Sequence, residues 1–215
     1  MNIFLVIAGA YLLGSVPFGF MIARLFGVKD IRAEGSGNIG MTNVWRTAGP
    51  VAALLVFVGD VGKGILAVLI AYSVFNSMAA SEYICLGAAI AVIIGHIFPL
   101  FLGFKGGKGV NTALGTMLVL RPLEVMLALA VFIIVVAVSR YISLGSLLAA
   151  FVFFLAMISE YLLLPGRVHP VFPVMASFIF VIIVITHRSN IKRLLSRTEN
   201  RFSLKSKTSG AKSNA

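Results

Sequence analysis

Six long apolar stretches, at residues 2–26, 50–75, 83–102, 122–139, 142–164 and 171–185, constrain this chain more than any other feature. Each is near the length at which a helix crosses the hydrocarbon core of a bilayer, about 20 residues at 1.5 Å rise per residue. Of the 215 residues, 60% are hydrophobic and only 12% charged, and mean hydropathy is +1.04. A water-soluble domain needs more polar surface than that, so a soluble globular fold is excluded. The expected fold is all-α, a polytopic transmembrane helix bundle, with residues 1–187 as one integral membrane domain and 188–215 as a basic tail. The first stretch opens with Met1-Asn2 in place of a basic segment and leads to no small-residue cleavage site, so it is read as a retained span, not a signal peptide. The single cysteine, Cys85, lies in an apolar run, which excludes a disulfide framework and a cysteine-rich metal site.

Lys and Arg number 18 against seven Asp and Glu, a net charge of +11. These basic residues gather at the ends of apolar stretches. That placement suits a membrane surface, and the expected partner is the lipid bilayer with no nucleic acid. Lys and Arg near span ends are retained in the cytoplasm. The rule puts Arg24, Lys29, Arg32, Arg46, Lys63, Lys105, Lys108, Arg140 and the segment from Arg188 on that side. Glu82, Glu124 and Glu160, with Arg121 and Arg167, mark the opposite side, so the N-terminus is expected outside and the C-terminus in the cytoplasm. Lys105 and Arg140 then require an even number of crossings between them. The Arg121-Pro122 step supplies a break, because proline lacks a donor and disfavours helix at the preceding residue. About seven spans result, with 110–120 a short one. Five spans and a buried re-entrant pair are the alternative.

Three polar clusters interrupt the apolar chain, and the orientation puts all three on the cytoplasmic side. The first, Glu34-Gly-Ser-Gly-Asn-Ile-Gly-Met-Thr-Asn-Val-Trp-Arg46, carries Ser36, Asn38, Thr42, Asn43 and Arg46 among three glycines. Such side chains donate to oxyanions, and glycine allows close backbone approach. In the second, Gly106, Gly107 and Gly109 alternate with Lys105 and Lys108, a pattern suited to wrapping a phosphate with backbone N–H groups and two ammonium groups. It is not a Walker A loop, since Gly109 follows Lys108 where Ser or Thr is required and no strand precedes it. The third begins at the end of the last stretch, where His187 and Asn190 share a face if the helix continues. Arg140, Ser143 and Ser146 form a weaker fourth patch. The three histidines, His96, His169 and His187, are far apart and lack neighbouring carboxylates, so no metal or other cofactor is expected. Asp60 and Lys63 form an i,i+3 pair that is read as structural. An integral membrane carrier of a phosphorylated or anionic solute would also place basic groups beside broken helices, and it is the alternative class.

The three clusters together resemble the signatures of the PlsY family of bacterial membrane glycerol-3-phosphate acyltransferases. They read Ser36-Gly-Asn-Ile-Gly-Met-Thr-Asn-Val-Trp-Arg46, then Gly95-His-Ile-Phe-Pro with Phe-Lys-Gly-Gly-Lys-Gly-Val110, then His187-Arg-Ser-Asn-Ile-Lys-Arg-Leu194. The likeness extends over nearly the whole chain. Met41 and Asn111 depart from it, standing where small residues are usual, and Arg197 stands where glycine is common. The resemblance implies transfer of an acyl group from acyl phosphate to the sn-1 hydroxyl of glycerol-3-phosphate, giving lysophosphatidic acid and inorganic phosphate in the bacterial inner membrane. It implies catalytic roles for Ser36, Arg46, Lys105, His187 and Asn190, to which Ser143 is added. It implies substrate binding by Asn38, Thr42, Asn43, Gly106, Gly107, Lys108, Gly109 and His96. His187 is expected either to take the hydroxyl proton or to position the substrate while a substrate phosphate takes it.

Overall fold

A computed structural model describes residues 2–78 and 81–203. Ten α-helices follow one another, and the described residues contain no strand. Helix α1 (Ile3–Ser15) and α2 (Phe18–Leu25) divide the first apolar stretch, which is interrupted at 16–17 yet over Ile3–Leu25 is long and apolar enough to be one span, as expected. Pro17 has no N–H to continue the ladder. The carbonyls released at the break are not left bare, for Lys63 Nζ donates to Gly14 O at 2.9 Å and to Val16 O at 3.0 Å. Helix α3 (Met41–Ala48) lies outside the apolar stretches, and α4 (Pro50–Phe75) occupies the second stretch with Pro50 in its first turn. Helix α5 (Ser81–Ile97) stops five residues before the expected end at 102, because Pro99 breaks it into a short 3-10 turn at Leu100–Leu102.

Helix α6 (Val110–Leu120) and α7 (Pro122–Ser139) meet at Arg121, whose non-helical backbone (φ −143°, ψ 66°) makes the expected break. Helices α8 (Ile142–Leu163), α9 (Val171–Thr186) and α10 (Arg188–Leu195) complete the chain, with a bend of 62° between α9 and α10 at His187. Among the described residues, five helical stretches are long and apolar enough to cross a membrane. The bent α9–α10 pair is a sixth, and α6 is shorter.

Close packing at glycine sets the helix pairs. A Cβ on Gly14 of α1 would lie 2.2 Å from Val92 O of α5, and one on Gly95 would lie 2.2 Å from Tyr11 O. Gly115 of α6 and Gly64 of α4 meet in the same way, through Val61 O at 2.1 Å and Thr112 O at 2.4 Å. Small residues let backbones approach where lipid gives no hydrophobic reward for association. Helix α7 packs along α8 and α8 along α9, while α6 holds to α4. Helix α7 is the least buried of the long apolar helices. Ion pairs tie the ends of α6 to α9 together opposite the polar clusters: Arg121 meets Glu124 at 2.6 Å and also Glu160, which pairs with Arg167 at 3.2 Å.

Candidate active site

The three polar clusters converge on one cavity of about 360 Å³. Its polar end is walled by Ser36, Asn38, Thr42, Asn43 and Arg46 from the α3 region, Lys108 and Gly109 before α6, Ser143 and Ser146 on α8, and His187 and Asn190 at the α9–α10 bend. Its other end is an apolar arm between α6, α7, α8 and α9. His96 and Asp60 also reach the wall.

At the centre of the polar end, Lys108 Nζ donates to Asn190 Oδ1 at 2.5 Å. The other side of the same amide, Asn190 Nδ2, donates to Glu199 Oε1 at 2.6 Å, and Ser143 Oγ donates to that oxygen at 2.8 Å. Arg193 Nε holds the second oxygen of Glu199 at 2.7 Å. Burial pushes the Glu199 carboxyl up, but hydrogen bonds from Asn190, Arg193 and Ser143 outweigh it and hold the carboxyl below its usual range. Burial is also the main reason that Lys108 falls to about 8, with Arg193 and Arg46 adding repulsion against the attraction of Glu199. Thr186 Oγ1 fixes the Lys108 backbone by donating to its carbonyl at 3.1 Å.

His187 is buried, and its Nδ1 lies 2.8 Å from Ile183 O. A carbonyl only accepts, so Nδ1 carries the proton and Nε2 keeps its lone pair. A backbone carbonyl thus sets the tautomer, with no carboxylate needed. Burial first and the Lys108 charge second lower its pKa to about 4, which makes the ring neutral at physiological pH.

Several residues singled out in the sequence do other work. Asn43 touches the cavity, yet its amide is committed to the preceding loop. Nδ2 donates to the carbonyls of Ile31, Glu34 and Asn38 at 3.2, 2.9 and 2.9 Å, and Oδ1 accepts from Ser36 N–H at 2.9 Å. It organises the loop that presents Ser36 and Asn38. Gly106 and Gly107 do not face the cavity as a phosphate wrap: their N–H groups donate to Ile97 O at 3.0 Å and His96 O at 3.1 Å. A Cβ on Gly107 would stand 2.1 Å from His96 Nε2, so this glycine lets the loop lie flat on the imidazole. Lys105, expected in a catalytic role, is exposed and outside the cavity wall, and Lys108 is the cation of this loop that lines the cavity. Gly109 adopts φ +83° at the start of α6, a left-handed conformation that glycine takes without strain.

His96 belongs to a buried charge group. Its Nδ1 lies 3.3 Å from Asp60 Oδ1, which is 3.1 Å from Lys63 Nζ. The Asp60–Lys63 pair, expected from the i,i+3 spacing, forms, and it also reaches to the His96 ring beneath the Lys108 loop.

Sequence reasoning missed Glu199, Asn200 and Phe202. After α10 the chain folds back across the polar end. Phe202 N–H donates to Arg140 O at 2.6 Å, its ring lies 5.3 Å from Trp45, and Arg46 Nη2 reaches Asn200 O at 3.4 Å. One signal was available, since Glu199 is the only acidic residue after Glu160 in a basic tail.

Fold and site together define an integral membrane protein that offers hydrogen-bond donors and cations for an anionic group at one end of a cavity whose remainder suits a hydrocarbon chain. Over residues 4–197 the chain matches the glycerol-3-phosphate acyltransferase family, and it belongs to that family. It is 47% identical to the glycerol-3-phosphate acyltransferase of Trichlorobacter lovleyi over 197 residues, 91% of this chain and 95% of the relative. It is 45% identical to that of Geobacter sulfurreducens over 204 residues, covering 94% and 98%. Among solved structures it is similar to the crystal structure of PlsY (YgiH), an integral membrane glycerol 3-phosphate acyltransferase, in its glycerol 3-phosphate form. That likeness has a TM-score of 0.83 and 39% identity over 94% of this chain and 96% of the other. The lysophosphatidic acid form of PlsY gives 0.81 and 38%, covering 95% and 97%. This membership sets the chain among multi-pass membrane acyltransferases and not among carriers of anionic solutes.

Proposed function

We propose that this acyltransferase takes acyl phosphate as donor and acylates the sn-1 hydroxyl of glycerol-3-phosphate, releasing lysophosphatidic acid and inorganic phosphate. The observation that carries the reading is the amphipathic cavity, with Lys108, Arg46 and Arg193 at one end and an apolar arm at the other. Structures of a relative in glycerol 3-phosphate and lysophosphatidic acid forms support the acceptor and the product.

Acyl phosphate is a mixed anhydride with a good leaving group, so positioning and charge stabilisation suffice without strong acid catalysis. The acceptor hydroxyl oxygen bonds to the acyl carbon, the bond from that carbon to the phosphate oxygen breaks, and phosphate leaves with the electron pair. Arg46, Lys108 and Arg193 neutralise the two phosphates. The first-turn N–H groups of α6 have no helical carbonyl to bind and add donors beside Lys108. They take the part assigned in the sequence to Gly106 and Gly107. Ser36, Asn38 and Thr42 line the wall facing them. His187 Nε2 accepts a hydrogen bond from the hydroxyl and aligns it. With a pKa of about 4, this imidazole is a poor final proton acceptor, and a substrate phosphate with a second pKa of about 6 takes the proton.

The polar end faces the cytoplasm of a bacterial inner membrane, with the N-terminus outside and the C-terminal tail inside. Seven crossings follow, counting α1–α2 as one and α6 as a short one. Purified protein incubated with glycerol-3-phosphate and either acyl phosphate or acyl-CoA tests the reading. Lysophosphatidic acid from acyl phosphate alone is expected, and formation only from acyl-CoA refutes the donor.

A further inference from the structure

The apolar arm has a floor, and the depth of that floor is recorded independently on two helices. On α7 the lining residues run from Val136 at the polar end to Val125, and on α8 from Ile142 to Phe153. Both intervals are eleven residues, about 16 Å at 1.5 Å per residue. On α6 the lining ends at Met117, and on α9 at Ile179. Met117, Val125, Phe153 and Ile179 are at most 5% exposed, so the deepest lining residue of each wall is itself buried against its neighbours. Beyond them stands the Arg121, Glu124 and Glu160 ion-pair group, with Arg121 over the Phe172 ring at 5.4 Å. A hydrocarbon tail entering that layer would have to displace the partners of half-buried charges. Above the floor, Ala113, Ala128, Ala149 and Ala150 keep the lumen open.

We infer that the arm is a blind gauge of acyl length, in which Phe153 and its three neighbours set the floor and Ala128 and Ala150 keep the turn above it clear. This rests on the acyl-transfer reading of the same cavity. An extended chain advances about 1.25 Å per carbon, the projection of a bond of about 1.5 Å, so about 13 carbons fill the arm. The carbonyl carbon and up to two after it lie at the polar end, giving an acyl group of about 14–16 carbons.

Ala128 and Ala150 each lie three residues above a floor residue, Val125 and Phe153. A leucine at either raises the floor by about one turn, roughly 5 Å, or about four carbons. Each methylene so excluded loses about fourfold in affinity.

The test is calorimetric binding of unreactive acyl phosphonates, dodecanoyl to octadecanoyl, to the purified full-length protein in a short-chain detergent, with lysophosphatidic acid formation assayed separately. In the native protein, affinity should rise to the tetradecanoyl or hexadecanoyl compound and gain nothing at octadecanoyl. In Ala150→Leu the plateau should move to the dodecanoyl compound, with hexadecanoyl affinity reduced on the order of a hundredfold. Phe153→Ala should restore a gain at octadecanoyl. Ala128→Leu probes the same level from the opposite wall should Ala150→Leu fail to fold. A steady rise through octadecanoyl in the native protein, or one length profile shared by native protein and leucine variants, overturns the gauge. Ordered binding without lysophosphatidic acid would leave the gauge standing and remove the acyl-transfer reading instead.

Discussion

Replacing Lys108 with methionine should make the substrate-free protein more stable and the enzyme inactive. Lys108 falls from 10.5 to about 8 on folding, chiefly by burial. At 1.36 kcal/mol per unit, holding its charge at neutral pH costs about 3 kcal/mol of folding free energy. Methionine keeps the length of the side chain and removes that cost. It also removes the 2.5 Å hydrogen bond to Asn190 Oδ1, worth about 1 kcal/mol, so the net gain is about 2 kcal/mol. The sign with pH follows from the depressed value. Below about 8 both folded and unfolded chains carry the proton, and the folded state bears the full cost. Between about 8 and 10.5 only the unfolded chain carries it, so native stability rises through that window and the advantage of the variant shrinks. Thermal unfolding of detergent-solubilised protein, followed by fluorescence of Trp45, measures both effects. A melting temperature higher by several degrees at neutral pH is expected, with the advantage gone by about pH 9.5 and the native protein the more stable by about 1 kcal/mol once the lysine is neutral in both states. Loss of a cation aimed at the transferred phosphate should lower kcat/KM by about a hundredfold or more. A variant less stable than the native protein at neutral pH, or a difference that does not narrow as pH rises, would refute the reasoning by showing that Glu199 more than compensates the burial of the charge.

Gly107→Ala should disturb the site through His96, because the added methyl meets the ring at 2.1 Å. A stability loss of about 1–3 kcal/mol is expected with a fall in kcat, and a rise in KM alone with unchanged melting would return this glycine to the phosphate. His187→Asn should lower the rate by less than about a hundredfold and leave the pH–rate profile in place. Loss of the neutral-pH limb would make His187 the base. Arg197 holds a left-handed φ of 58°, so Arg197→Gly should raise stability by about 1 kcal/mol in thermal unfolding, and no gain would mean that the Arg197 side chain offsets its backbone strain. In a Cys85→Ala background, single cysteines at Ser77 and Gly166 should react with an impermeant thiol reagent added to intact cells, and cysteines at Ser36 and Ser196 should not. Labelling at Ser36 would invert the topology.

Much of this protein is determined locally. Lipid cannot satisfy backbone N–H and C=O groups, so a long apolar run has one stable form, the helix, and α4 and α7 fall where the stretches 50–75 and 122–139 lie. The break at Arg121-Pro122 was legible because the missing donor of proline is a covalent fact. The polar clusters were legible because Ser36, Arg46, Lys108, His187 and Asn190 stand out against an apolar chain. Their meeting required the folded bundle. Lys105 and Lys108 are equivalent in sequence, and only the loop's hydrogen bonds to Ile97 and His96 put Lys108 inside and leave Lys105 out. Asp60 and His96 lie on different helices, and packing of α4 against α5 joins them. Glu199 reaches Ser143 and Asn190 through the bend at His187 and the left-handed turn at Arg197, neither of which a helical periodicity encodes. Composition and hydrogen-bonding need act over a few neighbouring residues and therefore settled the helices. The choice of which charge enters a low-dielectric cavity depends on groups far apart in the chain, and only the tertiary structure decided it.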